Sequence, residues 1–523
     1  MIGWLALARA VRRASASLVV GAGVILGLAT ALKLTNLLYL LATLPLIAFI
    51  AAPIFARVRY AVIFGVGAAF GFLAGGVTWW IQVWRALGNP FFPLFNQYFR
   101  SPYFTTSPLL ADRFIPDSWW LALWRPFAMC DPTNMIHEEL RSPDVRYAAL
   151  LILALVLFVL KAWRRTKGSH LLAAEMEDDA ASPVGRTFIA LALSFGIAWT
   201  LWLSTSANSR YFLPMSSVAA VLIAGLLQRL ARLEARAFAY PLLLIAICQG
   251  FGLGMGTQYR WNPAPWVAQW LDVDVPQRLL TERDLYLTIG VQSNAFIAAY
   301  VHPRSGFINF AGGYTLPSSG PSGEKVRSLL ARYAPFWRVM IDGDQIHPPE
   351  SGRSPNEKGL NTRLARFNLK VDPTDCERIT VKGVRTEPRK RFIVVTGSAD
   401  ADNDDPELTY LLSCRVVSAD DARSRLLSGQ KTADTILDRV EDACPRLFQP
   451  KGLSAEYTGY VWQRDYLNTD LRVWIGQGWV NFVDLNRGED SIAIGRETDW
   501  IRGPLSLDCG RSNGHYFAHV IAR

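Results

Sequence analysis

Apolar stretches long enough to cross a lipid bilayer crowd the first half of this chain and stop near residue 256. A spanning helix needs ~17–25 consecutive apolar residues, because every backbone polar group must be satisfied inside the hydrocarbon core. Seven stretches approach that length, at about 16–32, 37–55, 60–83, 147–163, 187–204, 213–229 and 237–256. Beyond them the charged residues take over. A chain of 523 residues with 51% hydrophobic and 19% charged side chains is neither disordered, collagen-like nor coiled coil. Six cysteines in this length also exclude a small disulfide-stapled domain. The expected fold class is a polytopic α-helical membrane domain of about seven spans, followed by an α/β or α+β extracytoplasmic domain. The expected division is a transmembrane domain at 1–262, with a large outer loop at about 84–146, and a globular domain at 263–523.

Orientation follows from Lys and Arg in the short connections. Arg9, Arg12, Arg13, Arg57, Arg59, Lys161, Arg164, Arg165, Lys167, Arg186, Arg229, Arg232 and Arg236 fall on one side, against Lys33 and Arg210 on the other. This asymmetry places the N-terminus in the cytoplasm and the loop at 84–146, with everything after about 257, outside. Arg12-Arg13 followed by Ala29-Thr30-Ala31 also has the pattern of a cleavable signal peptide. The apolar stretch that begins a few residues later favours a retained span.

From about Pro263 the pattern alternates between strand and helix signals. Strands are expected at 285–289, 306–310 and 336–341, with helices at 293–300 and 324–333 between them, a βαβ arrangement with a partly parallel sheet. A linker rich in Pro and Gly follows at about 343–358. Further strands are expected near 378–383 and 391–396, two helices near 419–444 and a β-rich end at 457–495. Cys376, Cys414, Cys444 and Cys509 allow two disulfides in three connectivities. Cys248 reads as a small apolar residue within a span, and Cys130 as unpaired or joined to the globular half.

The net charge of +10 is largely the cytoplasmic Lys and Arg excess, which attracts anionic membrane lipids rather than nucleic acid. No nucleotide-binding loop is present, and no Cys or His spacing supports a metal site. No cofactor is identified, and a divalent metal has no dedicated ligand set. His302, His515 and His519 read as loop or terminal residues rather than ligands. The glycine-rich runs at 21–27 and 65–76 lie within spans, where small residues permit close helix packing.

The outer loop reads Gly88-Asn-Pro-Phe-Phe-Pro-Leu-Phe-Asn96, then Phe99-Arg-Ser-Pro-Tyr-Phe104, Asp112-Arg113-Phe114 and Trp119-Trp120. Aromatic rings favour the head-group interface, and Arg pairs with phosphate there. Recognition of a lipid phosphate or its sugar is one reading. An interfacial anchor packed on the globular half is the other.

Three segments carry a family resemblance. Gly27-Leu-Ala-Thr-Ala-Leu-Lys33-Leu-Thr35, Gly88-Asn-Pro-Phe-Phe-Pro with Asn96 and Ser101-Pro102, and Asn208-Ser-Arg-Tyr-Phe-Leu-Pro214 resemble segments of polytopic GT-C glycosyltransferases, in that order. The resemblance covers roughly 16–230. It implies transfer of a sugar from a polyprenyl-phosphate carrier to an envelope lipid, glycan or protein acceptor at a bacterial inner membrane. The family's catalytic carboxylate lies in a large first outer loop, whereas the first outer connection here, about 33–36, has no Asp or Glu. The chain resembles the family from its middle onward.

Glycosyl transfer needs a base or charge stabiliser near the acceptor and a cation against the leaving phosphate. Asp112 is the candidate catalytic carboxylate, with an ion pair to Arg113 as the alternative. Asp117, Asp131, Glu138, Glu139 and Asp144 are the other carboxylates of the outer loop, and Asp131, His137 and Glu138 suit either an acid/base cluster or a solvated helix start. Arg210 sits beside Tyr211 at the outer edge of two spans, where an uncompensated charge is costly and a guanidinium suits phosphate. Lys33 occupies a similar boundary, and Arg100 and Arg113 are further phosphate candidates. A non-catalytic envelope protein whose outer domain binds a glycan or assembly partner is the alternative function.

Overall fold

The structure, a computed structural model, describes residues 1–109, 114–116, 118–132, 134, 136, 143–166, 182–231, 236–255, 272–289, 294–311, 320–342, 357–382, 408–419, 422–449, 451–458, 461–464, 466, 471–484, 491–512 and 515–521. The chain forms two compact units: residues 1–86 with 111–259, and residues 87–110 with 260–523.

The first unit is helical. Its helices are α1 (Ile2–Arg13), α2 (Ala16–Leu32), α3 (Leu37–Leu41), α4 (Leu44–Ala48), α5 (Ile54–Leu87), α6 (Trp119–Ala128), α7 (Arg146–Thr166), α8 (Pro183–Thr205), α9 (Ser209–Ala231) and α10 (Arg236–Met255). Among the described residues, only α5, α8 and α9 are long and apolar enough to cross a membrane. That corrects the expectation of about seven spans. The stretch expected at 37–55 is two five-residue helices. Pro45 has no N–H to continue the ladder, and the hydroxyl of Thr43 turns back to donate to the Leu40 carbonyl at 2.6 Å. Three other expected spans correspond to shorter apolar segments, at Ala16–Leu32, Arg146–Leu160 and Ala239–Gly254. Seventeen residues of α2 reach only ~26 Å at the rise of an α-helix.

Glycines set the closest helix contact. The backbone of α2 lies against that of α5, so a Cβ at Gly67 would stand 2.7 Å from the Val20 carbonyl oxygen, and Gly23, Gly27 and Gly71 face backbone as tightly. Gly21 and Gly65 face open space. The small residues at 23, 27, 67 and 71 therefore form the backbone seam, with Gly75 against the Leu28 and Ala31 side chains, whereas Gly21 and Gly65 lie outside it.

Helix α1 folds back along α2 through Ala14, whose φ of 47° is left-handed, and Ser15 caps α2 by accepting from the Leu18 N–H. The Tyr60 hydroxyl donates to the Ala14 carbonyl at 2.6 Å, and Arg57 Nε donates to Ile50 and Ala52 carbonyls. Arg12, Arg13, Arg57 and Arg59 thus gather at one end of the unit. Trp4 on α1 is buried and donates to the Tyr39 carbonyl at 3.2 Å near the opposite end.

The second unit is built on sheets. Strands β1 (Asp272–Asp274), β2 (Leu285–Ile289), β3 (Gly306–Ala311), β4 (Trp337–Asp342), β5 (Leu369–Lys382) and β6 (Leu408–Ser418) form one sheet in the order β1-β5-β6-β4-β2-β3. Strand β2 runs parallel to β3 and β4, and the other pairs are antiparallel. Helices α11 (Gln277–Thr281), α12 (Gly320–Tyr333) and α13 (Glu357–Ala365) accompany this sheet. Leu285, Leu287, Val339 and Ile341 pack against Val326 and Leu330 of α12 on one face. Tyr286, Met340, Ile379 and Leu411 pack against Leu279, Ile297 and Val301 on the other.

The first parallel βαβ unit is present, though its expected helix at 293–300 is a 3-10 turn at Ala295–Ala299. The two helices expected near 419–444 are one helix, α14 (Ala422–Ala443). Gly429 does not interrupt it, because the glycine lets the Trp462 ring approach its backbone. The expected strand near 391–396 lies outside the described residues. Strands β7 (Glu456–Tyr457), β8 (Trp462–Gln463), β9 (Leu471–Gly476), β10 (Trp479–Asp484) and β11 (Ser491–Arg496) form a second sheet. Helix α15 (Glu497–Arg502) and the hairpin of β12 (Leu507–Ser512) and β13 (His515–Val520) end the chain.

Disulfides join Cys376 to Cys414, directly opposite each other on β5 and β6, and Cys444 to Cys509. Cys130 and Cys248 are free thiols. Cys248, expected to be buried, is exposed on α10.

Candidate functional site

The most tightly held backbone in the first unit is the entry to α9, residues 207–212. Ala207 closes the end of α8 with a φ of 50°, its N–H donating to the Trp202 carbonyl at 2.8 Å. The fully buried Trp202 indole returns a bond to the Asn208 carbonyl at 2.7 Å. Asn208 accepts from the Arg210 N–H at 3.0 Å, an N-terminal cap for α9, and the Ser209 hydroxyl donates to the Ile136 carbonyl at 2.7 Å. Pro214 has no N–H to offer the Arg210 carbonyl. Two tyrosines reinforce the same turn from outside the helix. Tyr39 donates to the Tyr211 carbonyl, and Tyr147 donates to the Phe212 carbonyl at 3.2 Å. Tyr147, Trp199, Trp202 and Phe212 stack around it with ring centres 4.7–5.6 Å apart.

Two cations stand at this rigid turn. Lys33, just after α2, places its ammonium 4.2 Å from the centre of the Tyr211 ring. Arg210 is the neighbouring residue, and both Lys33 and Arg210 are exposed. The N-terminal end of a 23-residue helix adds the partial positive charge of its dipole. Lys33, Arg210 and Tyr211 are therefore brought together, in a setting suited to an anionic group. Arg100 belongs to the other compact unit, where it is exposed and ends a single helical turn at Asn96–Phe99 with a φ of 53°. Asp112, Arg113, Asp117, His137, Glu138 and Glu139 lie outside the described residues.

Asp144 is buried and fully engaged. It accepts from the Arg146 N–H at 3.0 Å and from both Nε and Nη2 of Arg146 at 2.8 Å, fixing the start of α7. Gln249 of α10 supports the same junction, donating to Pro143 and accepting from the Val145 N–H.

The segment 87–110 folds with the second unit around two asparagines. The buried Asn96 amide donates to the carbonyls of Ser101, Phe104 and Thr105 at 2.9–3.1 Å, and its oxygen accepts from the Ser101 N–H at 2.8 Å. Asn89 donates to the Leu94 carbonyl and accepts from the Phe91 N–H. Lys325 of α12 stands over the Tyr103 ring at 5.1 Å.

No protein-family model, curated protein or solved structure matches this chain. Its chemistry rests on its own residues.

In the second unit, His302 is a turn residue whose Nδ1 accepts from the Arg304 N–H at 3.2 Å, and His519 stacks on Phe517. Among the described residues no group of three His, Cys, Asp or Glu side chains is placed to hold a metal. Sequence reasoning missed a buried polar cluster at the start of β2. Arg338 is 1% exposed and donates to Ser413 at 2.9 Å and to Asp375 at 3.3 Å, and Asp375 also pairs with Arg278 at 3.1 Å. The extra residues that β5 inserts between Asp372 and Cys376 put Asp375 there. Asp284 lies beside these arginines with one carboxylate oxygen buried and unpartnered. Burial pushes its pKa up, and the arginines only partly offset this. Tyr39, Tyr147 and Trp202 were missed too. Asn208 before Ser-Arg was the one local signal for the α9 cap.

Proposed function

We propose that the chain is a GT-C-like glycosyltransferase of a bacterial inner membrane that takes its sugar from a polyprenyl-phosphate carrier. The observation that carries this reading is Lys33 over the ring of Tyr211, the residue after Arg210, at a turn held by the buried Tyr39, Tyr147 and Trp202. In it, Lys33 and Arg210 hold the lipid phosphate at the outer membrane boundary, and Tyr211 keeps Lys33 in place. Arg113 is a further phosphate contact, and Asp112 is the carboxylate that receives the acceptor's proton. The acceptor hydroxyl oxygen bonds to the anomeric carbon. The bond from that carbon to the phosphate oxygen breaks, and polyprenyl phosphate leaves with the electron pair.

Helices α5, α8 and α9 then cross the bilayer, with α2 held to α5 by the glycine seam. The gathering of Arg12, Arg13, Arg57 and Arg59 at one end supports a cytoplasmic N-terminus. The sheet-containing unit is then periplasmic. The acceptor is an envelope lipid, glycan or protein.

A second reading, a non-catalytic envelope protein whose outer domain binds a glycan or assembly partner, draws on the Asn89 and Asn96 bonds. Those residues of the loop motif serve its fold. The deciding experiment is native mass spectrometry of the purified full-length protein with polyprenyl monophosphate and with the matching polyprenol. The glycosyltransferase reading expects retention of the phosphate form alone, lost in Lys33→Ala with Arg210→Ala. Equal retention of both lipids would sink it.

A further inference from the structure

We propose that Cys130 and Cys248 form a disulfide that ties the turn after α6 to α10 of the membrane unit. The other four cysteines are already paired within the second unit, so these two are each other's remaining partners. Their neighbours are locked together. The Met129 carbonyl, one residue before Cys130, accepts from the Asp144 N–H at 2.8 Å. Gln249, one residue after Cys248, holds Pro143 and Val145 on either side of Asp144 at 2.8 and 2.9 Å. Gly252 stands one helical turn from Cys248 on the same face of α10, and a Cβ there would lie 3.6 Å from the Pro143 ring. Gln249 and Gly252 thus hold α10 to the 143–145 junction, with the exposed Cys248 adjacent to Gln249, and the Cys130 turn is bonded to the same junction.

The Cys130 thiol donates to the Pro126 carbonyl at 3.6 Å in this structure, so closure needs it to leave that bond and turn toward α10. A thiolate of one cysteine attacks a disulfide-bearing oxidant, giving a mixed disulfide and releasing one thiol of the oxidant. The second cysteine attacks the first sulfur, forming the Cys130–Cys248 bond and releasing the other thiol. The two electrons and two protons lost by the pair end on the oxidant. An oxidising compartment at this end of the unit is required, which rests on the proposed orientation. The bond would fasten the outer loop to α10 beside the Asp144–Arg146 cap.

The test is differential alkylation of the full-length protein taken from its native membrane. Free thiols are blocked with N-ethylmaleimide under denaturing conditions, then the sample is reduced, treated with iodoacetamide and mapped by mass spectrometry. All six cysteines are expected to carry the second label, and a non-reduced digest should contain a linked Cys130–Cys248 peptide. In Cys248→Ser, Cys130 should switch to the first label. If Cys130 and Cys248 carry the first label while Cys376, Cys414, Cys444 and Cys509 carry the second, the proposal falls and the orientation stands. If all six carry the first label, the proposal and the orientation fall together.

Discussion

The Lys33 ammonium lies 4.2 Å from the centre of the Tyr211 ring, linking the end of α2 to the first turn of α9. That contact fixes the exposed Lys33 against the residue that follows Arg210 in the chain. The aromatic hydroxyls of Tyr39 and Tyr147 hold the backbone beneath them. Cations on a preorganised turn lose less freedom on binding an anion than cations on a loose loop.

Replacing Arg210 by Ala should weaken binding of polyprenyl monophosphate by roughly tenfold or more, since a hydrogen bond to a charged group is worth about 1.5–3 kcal/mol. Arg210→Lys should recover only part of this, because a point charge lacks the paired donors of a guanidinium. Tyr211→Phe keeps the ring beneath Lys33 and should leave affinity nearly intact. Titration of the purified protein with the lipid checks the order. Arg210→Ala with wild-type affinity would remove Arg210 from the site.

Gly27→Leu should destabilise the first unit by about 1–3 kcal/mol or more, because its side chain would meet the Ala68 backbone rather than a movable side chain. Gly65→Leu should be tolerated, since nothing lies within 4 Å of its Cβ position. Thermal unfolding of the two variants in detergent compares them. Equal loss in both would mean that the α2–α5 seam does not depend on the absence of a Cβ.

How far the sequence could be read depended on whether a signal was local. Apolar runs located α5, α8 and α9, but run length alone could not show that Pro45 divides 37–55. The short apolar runs at 285–289 and 336–341 marked β2 and β4, because strands buried on both faces carry near-continuous apolar side chains. At the site, Arg210 and Tyr211 were legible as a charge and a ring at a span boundary. Tyr39, Tyr147 and Trp202 were not, because each acts on backbone far away in sequence or buried in a turn. Asn89 and Asn96 stood in the loop motif without an assigned role, and their side chains bond the loop to itself.

Asn96→Asp should unfold the loop at 87–110. Aspartate retains the shape but loses the amide donors, leaving the Ser101, Phe104 and Thr105 carbonyls beside a carboxylate. Each unsatisfied buried acceptor costs about 1–3 kcal/mol, so a loss of at least ~3 kcal/mol is expected. Limited proteolysis should cut between 95 and 106 in the variant and spare the wild type. An uncut variant would show that the loop does not depend on these bonds.

Asp284 gives a pH dependence with a definite sign. Its folded-state pKa is raised by burial, so the native state holds the proton more tightly than the unfolded chain. Stability therefore falls as pH rises from the unfolded pKa through the folded one, and the penalty is fully present above both. Asp284→Asn should raise stability at neutral pH and flatten this part of the profile. Denaturant unfolding of both proteins across the acidic range measures it. A variant less stable than wild type at neutral pH would mean that attraction to Arg338 and Arg278 outweighs burial.

Helix α6 provides the last test, of how the segment that follows α5 meets the membrane. Trp119, Trp120 and Trp124 are 74%, 61% and 54% exposed, although both flanks of the helix are anchored. Phe114 before it and Met129 after it are buried in the core of the membrane unit, and the buried Arg125 donates to the Phe114 carbonyl at 2.6 Å. Three large rings held outward on a short pinned helix fit the head-group zone, where an indole keeps its apolar body in the lipid and its N–H toward water. In vesicles containing lipids brominated near the head group, Trp119→Phe, Trp120→Phe and Trp124→Phe combined should lower the quenchable emission. Three of 18 tryptophans are removed, so the change should approach one-sixth of the total if all emit equally. Lipids brominated near the chain ends should quench wild type and variant alike. If shallow bromines also quench both equally, α6 does not lie at the interface, and its rings face water or protein instead.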